Sequence, residues 1–242
     1  MAKVIAFYGS PGSGKTSVSL KSAMELYCST KDARIAFLSP DFIVPSIGLL
    51  FPNYSPDDIY SLSSIIDNTD ITEETLIEHT VSVNSMKDFG FFGFKSGEGE
   101  FSFPSLNEQK ISALFNALSD YAEYVFVDCS NDSKDSISKR ALANADVAVR
   151  VMSPDPKGMA WFSVNKDTHG RIEGKNIFNV ICVTDNELFM PTEEVCTNFN
   201  SILAVMPHSK SLKQQMLDGR MYERLNDKAY NRKIKNIISR II

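Results

Sequence analysis

Residues Gly9-Ser10-Pro11-Gly12-Ser13-Gly14-Lys15-Thr16 match the pattern G-x-x-x-x-G-K-[ST], a spacing whose chemistry is phosphate binding. Glycines let consecutive backbone N–H groups turn toward phosphate oxygens, and a helix opening behind the loop adds the positive end of its dipole. Lys15 supplies a point charge for the β- and γ-phosphates, and the Thr16 hydroxyl suits Mg²⁺. With Ser17 included, Gly9–Ser17 is the expected cradle for a nucleoside triphosphate. Two acids complete the set. Asp128 closes an apolar run and is the carboxylate expected near the metal. Asp41 follows Ser39-Pro40, where it could orient or deprotonate an attacking water. Both acids stand where turn formers also occur, so a purely structural use stays open for each.

These residues need elements to hold them. Lys3–Tyr8 is a short apolar run that reads as a strand, and apolar positions 18, 20, 23, 24 and 26 suit a helix after the loop. Arg34–Ser39, Phe89–Phe94, Tyr124–Asp128, Val147–Met152, Ile177–Val183 and Ser201–Met206 read as further strands. Helices are expected near Ser55, around Thr72, over Ser105–Tyr121 and Ser133–Ala143, from about Lys157, and once or twice after Met206. Strands that are apolar on both faces and alternate with helices predict a mostly parallel sheet of about seven or eight strands with helices on both sides. No linker, repeat or low-complexity stretch interrupts the chain, so 1–242 is expected to form one three-layer α/β domain of the P-loop NTPase type. In such sheets ligands bind beyond the carboxyl ends of the strands, where the loop, Asp41 and Asp128 all fall.

Composition excludes several classes. With 43% hydrophobic and 23% charged residues the chain is ordinary for a globular domain, and no apolar run is long enough to span a membrane. The N-terminus has no charged region ahead of its apolar stretch, which reads as a strand and not a signal peptide. Cys28, Cys129, Cys182 and Cys196 lack C-x-x-C spacing and read as reduced thiols of a cytoplasmic protein. His79, His169 and His208 lie too far apart in sequence to form a zinc motif.

At this point the chain resembles the MinD/ParA-like ATPases, a deviant branch of the P-loop NTPases. Beyond Gly9–Ser17, the stretch Ile35–Ser46 is similar to that family's strand, acid and loop over the nucleotide. Asp41 matches the second acid of its D-x-D pattern and Ser39 stands at the first. Tyr124–Ser130 resembles its switch strand, Ala145–Pro156 its A-D-x-h-h-h-V-x-x-P-x-P segment, and Ala204–Ser209 its segment beside the base. The resemblance implies ATP and Mg²⁺ as cofactors, an ATP-dependent homodimer and a nucleotide-switched role in positioning or partitioning a cargo. It also implies a protein partner or activator, and it puts Thr184, Pro207 and His208 near the base. Two positions depart from the pattern. Ser10 stands where the family's loop carries a lysine that crosses the dimer, which implies slower hydrolysis and a weaker dimer. Thr184 stands where an asparagine often reads adenine.

The C-terminal region leaves three readings open. Nine Lys/Arg and three Asp/Glu fall in 209–242, a net of +6, so 1–208 carries −11 of the chain's −5. Isoleucines at 234, 237, 238, 241 and 242, spaced i, i+3, i+4, i+7 and i+8 among basic residues, predict an amphipathic helix at about 228–242. Such a helix can bind a membrane surface at the inner face, or DNA through its charges, or it can pack on the sheet as a last core element. For the whole chain, slow ATP hydrolysis, a non-hydrolysing localisation scaffold and a small-molecule kinase remain three distinct expectations.

Overall fold

The computed structural model describes residues 1–52, 54, 59–83, 85–99, 106–132, 134–165, 176–184 and 190–242. Its centre is an eight-stranded sheet in the order β3-β4-β2-β5-β1-β6-β7-β8. The strands are β1 (Lys3–Gly9), β2 (Ile35–Ser39), β3 (Val81–Val83), β4 (Met86–Gly93), β5 (Tyr124–Asp128), β6 (Val147–Met152), β7 (Asn176–Cys182) and β8 (Ile202–Met206). All pairs are parallel except β3 with β4. The ten helices among the described residues begin with α1 (Lys15–Ser29), α2 (Ile47–Leu50), α3 (Leu62–Asp67), α4 (Glu73–Glu78) and α5 (Glu108–Tyr121). They continue with α6 (Ser136–Asn144), α7 (Pro156–Asn165), α8 (Thr192–Cys196), α9 (Lys210–Leu217) and α10 (Lys228–Ile241).

Alternation within the central strands divides the core. Ile5, Phe7, Phe37, Phe126 and Val149 point to one face, where they pack with α1 and α10. Ala6, Ala36, Leu38, Val127 and Ala148 point to the other, against α5 and α6. Burial on both faces is what a parallel sheet with covering helices requires. Among these strand residues the rings lie on the α1 side and the alanines on the opposite one.

The expected elements are recovered with shifted limits. The strand expected at Phe89–Phe94 begins at Met86, and the helix expected from Ser133 begins at Ser136, because the Asp135 carboxylate accepts from the N–H groups of Ile137 and Ser138 and caps it there. Thr72 caps α4. The helix expected near Ser55 falls outside the described residues.

Burial shows where the apolar stripe of the C-terminal helix goes. Tyr230, Ile234, Ile237, Ile238 and Ile241 are buried in the α1-side core. The apolar stripe that would enter a bilayer is therefore already spent on the sheet. Among the described residues no helix is long and apolar enough to cross a membrane.

Candidate functional site

β1 delivers the chain to the loop, and two glycines allow the turn. A Cβ at Gly9 would lie 1.8 Å from the Val151 carbonyl oxygen, so β1 and β6 could not approach as they do with any other residue there. Gly14 sits at φ 79°, in the left-handed region where glycine meets no penalty. Gly14 is also the N-cap of α1 and carries no side chain to accept from the first turn. The other described helices of eight or more residues are capped, by Asn107, Asp135, Asp155, Ser209 and Asp227. No side chain therefore caps the first turn of α1, and an anion is a group that suits such open N–H donors.

Lys15 and Thr16 both turn toward Asp128 at the end of β5. The Thr16 hydroxyl donates to Asp128 Oδ2 at 2.6 Å, and Lys15 Nζ lies 3.7 Å from Oδ1. β1 and β5 are hydrogen-bonded neighbours in register Phe7↔Asp128, which brings together residues over a hundred positions apart. Asp128 Oδ1 and the Ser13 hydroxyl are both buried without a hydrogen-bond partner. Such orphaned groups point to a missing ligand. A carboxylate, a hydroxyl and an ammonium at a glycine loop are the donor set that fits Mg²⁺ with a phosphate chain.

Of the remaining loop residues, Pro11 and Gly12 are exposed, and Ser17 is half-buried one residue beyond Thr16. Ser10 is only 1% exposed. Its N–H donates to Val151 O at 3.2 Å, and its hydroxyl accepts from the Ser153 N–H at 3.4 Å. Here it closes the end of β6, a packing use that its place in the pattern does not reveal. Asp41 is half-buried, and its Oδ1 accepts from the N–H groups of Ile43 and Val44, both at 2.9 Å. The turn-forming use left open for it is therefore present. On the far side, His208 Nδ1 and the Thr184 carbonyl oxygen are 3.0 Å apart, and a Cβ on Gly14 would touch Thr184 Cγ2 at 3.6 Å. Pro207, half-buried, precedes His208. Thr184 and His208 are thus joined to each other, and Thr184 to the loop.

A further acid sits beside the constellation. Asp135 is buried, and burial raises its carboxyl to about 6, while hydrogen bonds from Ser138 and Ile137 hold it down and the Asp41 charge pushes it up. Ser138 Oγ donates to Asp135 and accepts from the Ser130 N–H at 2.8 Å, tying the loop after β5 to the start of α6. Burial also drives the Cys129 thiol far above its usual range, opposed chiefly by the Lys15 charge. A reading of the sequence misses Asp135. The one available signal was an Asp-Ser pair ahead of the apolar helix positions. No cluster of three or more His, Cys, Asp or Glu suited to a metal occurs among the described residues.

Taken together, fold and loop define an α/β P-loop NTPase fold. Its particular version is that of the ParA and MinD ATPases. A ParA family ATPase from Chlorobium tepidum superposes with TM-score 0.77 at 13% identity, covering 98% of both chains. A plasmid partition protein from Borrelia burgdorferi bound to AMPPNP gives 0.76 at 17%, covering 100% of this chain and 98% of its own. The septum site-determining protein MinD of Pyrococcus horikoshii, complexed with Mg-ADP, gives 0.67 at 14%, covering 98% and 96%. At such identities the likeness establishes the fold. No family model and no curated protein matches the chain.

Proposed function

We propose that the protein binds Mg·ATP in the Gly9–Ser17 loop, hydrolyses it slowly and uses the two nucleotide states to position or partition a cargo as a homodimer. The observation that carries the reading is the uncapped start of α1 with Lys15, Thr16 and Asp128 converging on it. The solved structures of the same fold that hold AMPPNP and Mg-ADP support the choice of ligand.

The roles follow from the groups present. Loop N–H groups and Lys15 bind the phosphates and neutralise their charge. Thr16 and Asp128 would hold Mg²⁺, which when bound shields the phosphate oxygens from the attacking nucleophile. Thr184, Pro207 and His208 line the base side. Asp41 keeps one carboxylate oxygen outside its turn, and this oxygen orients the water. No lysine stands at position 10, so the charge formed during hydrolysis meets fewer cations, which favours slow turnover.

A specific observation also favours the non-hydrolysing scaffold. Both backbone N–H bonds of the Asp41 turn go to one oxygen, a use that is complete without water. Asp41→Ala separates the two readings. Hydrolysis predicts a fall in phosphate release of about tenfold or more with Mg·ATP affinity nearly unchanged, because a water-orienting group acts on the transition state. Release from neither protein supports the scaffold, whereas equal release from both leaves hydrolysis standing and returns Asp41 to its turn-forming use.

A further inference from the structure

A groove of about 940 Å³ opens between α1, the 218–227 connection and α10. Tyr27 and Tyr222, half-buried against Phe89 and Phe51, give it apolar walls, with Met24, Leu225 and Ile234 buried behind them. Its charged lining is basic although the chain as a whole is acidic. Five Lys/Arg face two Glu.

Some of these charges are already engaged. Lys21 donates to Gln215, Met221 and Glu223, Lys235 lies 3.8 Å from Glu25, and Glu223 lies 3.7 Å from Arg220. Arg224, Lys228 and Arg232 are exposed and have no ion-pair partner among the described residues. Lys228, Arg232 and Lys235 recur at i, i+4 and i+7, on one face of α10, where like charges repel. Lys228 also occupies the first residue of the helix, beside the positive end of its dipole. Arg224, Lys228 and Arg232 thus gain no ion pair from the described residues, and an anion set against them would supply one.

We propose that the groove docks an acidic segment of a partner protein. Its carboxylates meet Arg224, Lys228 and Arg232, and its apolar side chains lie against Tyr27 and Tyr222. The concave apolar walls select this occupant. Phosphate rails of a duplex would use the cations and leave the tyrosines idle, and a bilayer needs an apolar stripe that α10 has buried in the core. Nucleotide binding plays no part in the contact, so it stands or falls apart from the reading above.

The test uses a fluorescein-labelled peptide in which Glu alternates with Leu and Phe, followed by anisotropy against the full chain. Saturable binding that weakens with salt is expected, with affinity at least about tenfold lower for the R224E/K228E/R232E variant. The variant should melt no lower than the parent, because acids near the start of α10 relieve the repulsion. Three results would overturn the proposal: no binding, equal affinity for the variant, or tighter binding of a DNA duplex or of phosphatidylglycerol vesicles than of the peptide.

Discussion

Two lysines on one helix differ in how far the chain has filled their donors. Lys15 and Lys21 are both buried, at 8% and 5% exposure. Lys21 donates to Gln215 Oε1 at 2.8 Å and to the carbonyls of Met221 and Glu223, each at 2.7 Å. All three N–H bonds of its ammonium are used, and burial draws its pKa down to about 8. Lys15, six residues earlier, meets one carboxylate at 3.7 Å, beyond hydrogen-bonding distance. The first lysine waits for a partner and the second has found its partners in the chain. Burial alone does not distinguish the two cations. Unfilled donor capacity does.

The largest stability change should come from the satisfied lysine. Lys21→Met strands two backbone carbonyls and is expected to lower unfolding free energy by about 2–4 kcal/mol in urea titrations while leaving Mg·ATP affinity within about threefold. A stable mutant with lost affinity would reverse the division of labour drawn here. Lys21 also sets a pH trend. Its folded pKa of about 8 lies below the unfolded value, so its charged form penalises the fold below pH 8 and the penalty fades as pH rises toward the unfolded pKa. Subtracting the Lys21→Met stability curve from the parent's should isolate that rise.

A smaller effect concerns the acid beside the site. The carboxyl of Asp135 is raised to about 6, so its protonated form favours the fold below the unfolded pKa of 3.8, and that stabilisation is lost as pH climbs through 6. Asp135→Asn keeps an N-cap and removes the charge. It should therefore gain on the parent by about 2 kcal/mol between pH 4 and 7, as measured by thermal melts. A difference between the two proteins that stays constant with pH would show that burial does not tax the carboxylate. The smallest effect belongs to Ser13. Its buried hydroxyl has no partner in the chain, so Ser13→Ala should leave stability within about 0.5 kcal/mol and weaken Mg·ATP binding several-fold. Unchanged affinity would mean that no ligand uses the hydroxyl.

The division between Lys15 and Lys21 also marks what the sequence could disclose. The glycine loop, β1 and the strand ending at Asp128 were legible because the spacing of glycines and the apolar runs report local geometry directly. The near-complete parallelism of the sheet followed from strands apolar on both faces, whereas its strand order depends on contacts that form only on folding. β3 was not legible. It has three residues, sits at the edge and pairs through a register shift with β4, too little pattern for a period of two to show. Ser10 and Asp135 escaped for another reason. Their meaning depends on Ser153, Ser138 and Asp41, which meet them only after the chain has folded. The tail carried a legible helix and an illegible destination, since the same isoleucine stripe serves a bilayer and a core equally until neighbours decide.

Isothermal titration of Mg·ATP into the parent protein and into Lys15→Ala tests whether the open end of α1 is a Mg·ATP site centred on Lys15. Saturable binding by the parent and a loss of about 1.5–3 kcal/mol in the variant, which should still melt as a cooperative fold, is the result expected for a charge-assisted phosphate contact. Equal affinities in the two proteins, or no heat from either, would contradict the assignment of the loop.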